Sequence, residues 1–249
     1  MDTMPRVGFG LWKIPQEDTA NAVVEAVRAG YRHFDSAADY ANEIQTGEGL
    51  ARAMSEGLVA REDLWITSKL WNTFHAPEHV EEACRKSLAA LQLDYLDLYL
   101  IHFPIALQYV PIEERYPPEW LADPDAENPV MVRSAVPLHE TWAAMEGLVE
   151  KGLVKRIGVC NYNTALIHDL MAYAKIKPSH LQIEAHPYLT QDKLLGCANI
   201  YGIDVTAFSP LGAQSYFERN MAEAGESLVG SAPVMVAAQA HGKTPAQVL

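Results

Sequence analysis

Asp35, Tyr40, Lys69 and His102 have the side-chain types that proton transfer to a carbonyl needs. A free phenol has a pKa of about 10, too weak an acid to help at neutral pH, and each tenfold gain in acidity takes about 1.4 kcal/mol. An ammonium about 4 Å away, in an effective dielectric of about 20, contributes roughly 4 kcal/mol. Lys69 is therefore expected to bring the Tyr40 phenol within reach of pH 7. Asp35 would keep Lys69 charged and aimed, and a neutral His102 could donate a hydrogen bond that orients a carbonyl oxygen. Taken singly, each residue has a plainer reading. Asp35 and Ser36 can satisfy turn amides, a strand-end lysine can be solvated, His102 can be a core histidine, and Tyr40 can be packing. The sharper reading needs all four at successive strand ends.

The surrounding pattern supplies those strand ends. Apolar positions Ala20, Val23, Val24 and Val27 predict a helix over Glu17–Ala29, stopped by Gly30 in a left-handed turn. A β-type run, Tyr31–Phe34, then delivers Asp35. Leu64–Lys69 reads as the next strand and Leu96–Ile101 as the one that delivers His102. Further strands are expected at Pro5–Gly10, Val154–Val159, His180–Glu184 and Val205–Phe208. Helices are expected at Gly47–Met54, from Pro77 to about Leu91, and at Leu138–Glu150, Ala165–Ala174 and Asp192–Ile200. Met235–Ala240 and Pro245–Leu249 also read as helical. Residues 103–137, rich in Pro, Glu and aromatics, form a loop long enough to serve as a lid or binding loop.

Strand alternating with helix throughout gives an α/β class. No Gly-x-Gly-x-x-Gly turn follows the first strand, which favours a (β/α)8 TIM barrel over a dinucleotide-binding sheet. The reading finds seven strands, and the chain stops at Leu249 inside a helical pattern. The expectation is one barrel domain over 1–249, cut short of its eighth strand.

The chain has 249 residues, 49% hydrophobic and 20% charged, with a formal net charge of −13. That charge argues against nucleic-acid and anionic-membrane partners. No window reaches the ~18 apolar residues of a membrane helix, and the first residues open no signal peptide. Cys84, Cys160 and Cys197 are odd in number and far apart, as expected of reduced thiols in a cytoplasmic protein.

Several motifs carry a resemblance to a family. Gly30-Tyr31-Arg32-His33-Phe34-Asp35-Ser36-Ala37 through Tyr40, then Asn42-Glu43 and Gly47, resembles the first signature of the aldo-keto reductases. Met145–Tyr162, above all Lys155-Arg156-Ile157-Gly158-Val159-Cys160-Asn161-Tyr162, resembles the second. Leu64–Trp71, Asp94–His102 and Gln182–Tyr188 match as well. The resemblance implies a barrel that binds NADPH, with NADH as the alternative, and reduces aldehydes or ketones. It makes Tyr40 the general acid, with Asp35, Lys69 and His102 as partners.

For the cofactor it implies Asn161 and Gln182 on the nicotinamide carboxamide and Phe208, where the family usually has Tyr, under the ring. Cys160 stands where Ser is common. Ser209, Leu211, Gln214 and Ser215 would line the pyrophosphate, with Gly10, Leu11 and Trp12 on the opposite lip. Trp12, Trp71 and Phe103 would wall the substrate, beside Tyr40 and His102. The third signature, a Lys-Ser pair with a nearby Arg that grips the 2′-phosphate, lies nowhere in the 249 residues. The loop with Tyr109, Glu113–Pro118 and Trp120, and the stretch Gly212–Glu218, are similar to those of the aldose (xylose-type) reductases. A sugar aldehyde is therefore the expected substrate, and the enzyme a monomer or homodimer.

Two alternatives stand beside this. One is a nicotinamide-binding regulatory barrel with little turnover. The other is a metal-dependent hydrolase using His33, Asp35, His102, Glu184 and His186.

Overall fold

The computed structural model describes residues 3–212, 223 and 226–249. Its elements fall into two compact units, Met1–Cys160 with His168–Ser179 and Asn161–Ile167 with His180–Leu249. In the first unit the order is β1 (Phe9–Gly10), α1 (Gln16–Arg28), β2 (His33–Asp35), α2 (Glu43–Ser55), β3 (Trp65–Leu70), α3 (Pro77–Leu91), β4 (Leu98–Ile101), α4 (Leu138–Glu150) and β5 (Ile157–Cys160). Helix α5 (Thr164–Tyr173) follows. The second unit holds β6 (His180–Glu184), α6 (Asp192–Tyr201), β7 (Asp204–Phe208), α7 (Ala232–His241) and α8 (Pro245–Val248).

Strands β1 to β5 pair in chain order, every pair parallel. Strands β3, β4 and β5 are buried along their whole length. Continuous apolar burial is what a parallel sheet covered on both faces demands. Trp65, Leu98, Leu100 and Cys160 form a buried cluster on this sheet, with Met4 packed against it. In the second unit β6 and β7 are also parallel, in register from His180↔Asp204 to Glu184↔Phe208, and α6 makes the crossover.

Helices α1, α2 and α3 can close on one another because α2 carries two glycines on its packing faces. A Cβ at Gly49 would come within 2.7 Å of the Ala20 carbonyl and of Val23, and one at Gly47 would collide with the Ala90 carbonyl. Any side chain at either position would force the helices apart.

The structure moves several predicted boundaries. Strand β2 starts at His33 because the Tyr31 amide is used by the helix before it. Tyr31 N bonds Ala26 O (2.9 Å) and Gly30 N bonds Val27 O (3.0 Å), with Gly30 at φ +98°. This is the double closure of a helix that ends in a left-handed residue. Strand β1 is two residues rather than six, since only Phe9 and Gly10 reach partners, Phe34 and Asp35. Leu96 and Val154 make an isolated bridge, so β4 and β5 begin later than the apolar runs do. Helix α7 begins at Ala232, three residues early, with Pro233 in its first turn. The described residues hold seven strands.

Candidate active site

The parallel register sets the site. Asp35 ends β2 opposite Gly10 and Thr67, which puts Lys69, two residues further along β3, level with the turn that follows Asp35. Leu11 N bonds Asp35 O (3.1 Å), so the first lip is pinned to the same strand end. Tyr40 closes a single 3₁₀ turn, Ala38–Tyr40. The loop after it is tied back by Asn42, whose Nδ2 donates to Leu11 O (2.9 Å) and Ile14 O (3.1 Å). Glu43, buried at the start of α2, accepts from Ser68 Oγ (2.6 Å) on β3 and Ser87 Oγ (2.8 Å) on α3. The segment carrying Tyr40 and the strand carrying Lys69 are thus joined through one carboxylate.

Lys69 is 1% exposed, and its ammonium has three hydrogen bonds. It donates to Asp35 Oδ1 (2.5 Å), Ser36 O (2.7 Å) and Tyr40 Oη (3.1 Å). An ammonium has three donors and no acceptor. The phenol oxygen therefore accepts from Lys69, and its own O–H is directed elsewhere. Burial alone would lower the lysine pKa, but the Asp35 carboxylate and the phenol hold it above the usual value, so the charge is fixed.

The phenol itself corrects the sequence reading. Burial pushes the Tyr40 pKa up to about 12; Lys69 pulls the other way, and Asp35 adds to the rise. The ammonium alone would acidify the phenol, but desolvation and the carboxylate behind the lysine outweigh it. The Tyr40 phenol stays protonated at neutral pH, and Lys69 lies where it can meet negative charge on the phenol oxygen.

His102 follows β4, its amide bonded to Leu70 O (3.1 Å). Burial, reinforced by Lys69, drives its pKa well below the usual imidazole value, so it is neutral at pH 7. Its ring lies 5.9 Å from that of Tyr40 and 5.2 Å from that of Trp71, edge-on to both, and stacks on Phe103 at 4.9 Å. A neutral imidazole beside a protonated phenol has the chemistry to orient a carbonyl oxygen. The Cys160 thiol at the end of β5 is buried, and burial keeps it protonated.

Two of the three expected wall residues meet. Trp71 and Phe103 are 6.1 Å apart, but Trp12 is 48% exposed, has Lys13 over its ring, and forms no ring pair with either among the described residues. The third ring of the cluster is Trp120, 4.8 Å from Trp71 and 5.0 Å from Phe103. The sequence placed Trp120 in the long loop without assigning it to the wall. Only a fold that returns the loop to β3 could have shown it.

In the second unit, Asn161 is left-handed (φ +61°) and its amide bonds Gln182 O (3.0 Å), which brings two carboxamide residues together. Phe208 ends β7, and Ser209 begins a turn (φ +50°) closed by Gly212 N on its carbonyl (3.0 Å). Leu211 is exposed. Gln214 and Ser215 lie outside the described residues. Two carboxamides, one after β5 and one within β6, and an aromatic ring at the end of β7 are the side-chain types that a nicotinamide carboxamide and ring need, so the residues present fit that group. The metal reading fares worse. Asp35 is taken by Lys69 and the His33 Nε2 faces Thr67 Oγ1 (3.2 Å), so a cation stands where a metal would have to sit.

Parallel strands and a 3₁₀ turn that bring a buried lysine, a carboxylate, a phenol and a neutral imidazole to one place define a carbonyl-reducing oxidoreductase of the α/β barrel type. The sequence profile of the Aldo/keto reductase family matches residues 6–248, and the chain belongs to that family. It is an NAD(P)H-dependent oxidoreductase. It is 54% identical over 249 residues to "Probable NAD(P)H-dependent D-xylose reductase xyl1" of Arthroderma otae, covering 99% of this chain and 75% of that one. With the protein of the same description from Aspergillus clavatus it shares 53% over 248 residues, covering 99% and 74%. Among solved structures it is similar to the aldose reductase of Schistosoma japonicum, with TM-score 0.87, 41% identity, and coverage of 99% and 74%. The fold is the TIM-barrel-like α/β fold expected from the sequence.

Proposed function

We propose that this chain reduces the aldehyde of an aldose to the alcohol, using NADPH or NADH, with Tyr40 as the proton donor. One observation carries the reading: the third hydrogen bond of the buried Lys69 ammonium ends on the phenol oxygen of Tyr40. The curated relatives, described as acting on D-xylose with NAD(P)H, support the sugar and the cofactor.

The nicotinamide supplies a hydride when bound; Asn161, Gln182 and Phe208 would hold its carboxamide and ring, with Ser209, Leu211, Gln214 and Ser215 toward the pyrophosphate and Gly10, Leu11 and Trp12 on the other lip. His102 orients the carbonyl oxygen through a neutral N–H. Tyr40 gives its proton to that oxygen, and Lys69, held charged by Asp35, stabilises the phenolate left behind. Trp71 and Phe103 exclude water from the carbonyl's apolar side. The protein is proposed to work in the cytoplasm as a monomer or homodimer, with 1–249 forming one catalytic domain. No described helix is long and apolar enough to cross a membrane.

The test follows absorbance of the reduced nicotinamide with NADPH and NADH against D-xylose, other aldoses and simple aldehydes. Aldose-dependent oxidation is expected. Tight cofactor binding with no turnover on any aldehyde would leave a regulatory protein instead.

A further inference from the structure

Residues 115–122 fold around one side chain. Arg115 Nη2 donates to Pro118 O (2.8 Å), Leu121 O (2.7 Å) and Ala122 O (3.3 Å), while Nε donates to Pro118 O (3.1 Å). Among the described residues no carboxylate pairs with this guanidinium. Its fork is spent on backbone carbonyls that no strand or helix satisfies. A second tie comes from the site itself: Trp71 Nε1 donates to Glu119 O (2.9 Å).

Between these ties stands Trp120, its ring edge-on to Trp71 at 81° and to Phe103 at 65°. Both of those rings contact His102. The backbone does not favour this course, since Glu119 is left-handed at φ +57° without being glycine. The turn that presents Trp120 is therefore held by side-chain bonds, and most of them come from Arg115.

We propose that Arg115 is a positioning residue that seats Trp120 as the outer aromatic wall of the substrate pocket, and thereby sets how well the enzyme holds carbonyl compounds long enough to reach that wall. The proposal rests on the reading that His102 and Tyr40 hold the reacting carbonyl. A chain that extends past Trp71 and Phe103 meets Trp120; a two-carbon aldehyde does not. Loss of Arg115 should weaken binding of the longer substrate without touching the proton donor, which is the signature of lost uniform binding.

The variant is Arg115→Met, which keeps an apolar stem and removes every donor; Arg115→Lys, with fewer donors, is the milder second choice. For D-xylose KM should rise about tenfold with kcat nearly unchanged, while for glycolaldehyde both constants stay near the parent's. Trp120→Phe should give the same split, and adding Arg115→Met to it should cost little more, as expected of residues acting as one unit. Near-ultraviolet circular dichroism of the ligand-free protein should lose the Trp71–Trp120 signal in Arg115→Met and part of it in Arg115→Lys. Equal rises in KM for both aldehydes, additive effects, or an unchanged dichroism spectrum would each overturn the proposal. A parent that reduces neither aldehyde would sink the function instead, and the dichroism would still decide the role of Arg115.

Discussion

Two carboxylates in the first unit, Asp35 partly buried and Asp97 fully buried, are built from the same parts and do opposite things. Asp35 ends β2 and meets Lys69; Asp97 precedes β4 and meets Arg61 and Lys155. Asp97 Oδ2 accepts from Arg61 Nη2 (2.8 Å) and from the Ile66 amide (3.0 Å), and Oδ1 accepts from Lys155 Nζ (3.2 Å). Both cations also lie on the ring of Tyr95, at 4.0 and 4.2 Å. Both oxygens of that carboxylate end on fixed donors. At the carboxyl end of the strands, by contrast, the chain of bonds ends on a phenol whose proton is not used within it. In parallel α/β folds that end is where chemistry sits, and the amino end is where stability is set. A saturated ion group holds a fold, while one left a proton short of saturation can act.

The largest effect that would test this contrast is Tyr40→Phe. It should lower kcat by roughly 10²- to 10⁴-fold, the range for a positioned acid. Cofactor affinity should scarcely move, and the thermal midpoint should fall by less than for loss of a whole carboxylate, because the Lys69 ammonium loses one acceptor but keeps Asp35 and Ser36. Parent-like turnover in a correctly folded variant would remove Tyr40 from the mechanism.

Asp97→Ala reverses the pattern. It leaves the Ile66 amide and the Arg61 guanidinium without their acceptor, and removing one partner of a buried pair costs roughly 3 to 5 kcal/mol. Arg61 and Lys155 can turn toward water, so the low end applies, about 3 kcal/mol, or about 6 °C or more in the midpoint for a chain of this size. Calorimetry reads the loss, and kcat below the new midpoint should match the parent's. A fall in kcat with an unchanged midpoint would mean that the two ends of the sheet are not divided as argued.

How much of this the sequence could show depends on whether the signal is local. Helices α3 and α4 fall where periodicity and the Pro77 start signal put them, because a dozen residues of pattern average out single exceptions. The 3₁₀ turns at Ala38–Tyr40, Arg61–Asp63 and Asn72–Phe74 are too short to have a period. The four site residues are legible because strand ends in a parallel sheet converge. Their supports are not: Glu43 reaches Ser87 across 44 residues, and Trp71 reaches the Glu119 carbonyl across 48. No spacing rule encodes such pairs. The error over the phenol has the same origin, since a charge can be read from a residue type while desolvation is a property of the packed site.

That error gives a pH prediction. Absorbance titration of the ligand-free protein, taken as the difference between parent and Tyr40→Phe, should show a phenol ionising at about 12 rather than near neutrality. The raised value means the native state holds this proton more tightly than the unfolded chain. Its contribution to stability is complete below about pH 10, the unfolded value, and is lost as the pH rises through the folded one. Lys69, also raised, acts in the same alkaline direction. Turnover should therefore show no loss attributable to Tyr40 between pH 7 and about 10. A difference spectrum centred near pH 7 would restore the original expectation of an acidified phenol.

The smallest effect belongs to a third group of the same composition, placed on the surface. Glu81 is bonded by Arg85 (2.8 Å) from one helical turn away and by Lys151. Those hydrogen bonds pull its pKa below the usual carboxylate value, so its contribution exists above that value and disappears as acid titrates it. All three side chains reach water, where solvent and salt screen the pair and ordering two long side chains offsets much of what remains. Glu81→Gln should leave both kcat and the thermal midpoint at the parent's values, and added salt should erase any residual difference. With Asp35, Asp97 and Glu81 the chemistry of the pair is held nearly constant while its surroundings change. A midpoint shift at Glu81 as large as at Asp97 would show that the ion pair itself, rather than its burial and the completeness of its bonding, separates the three.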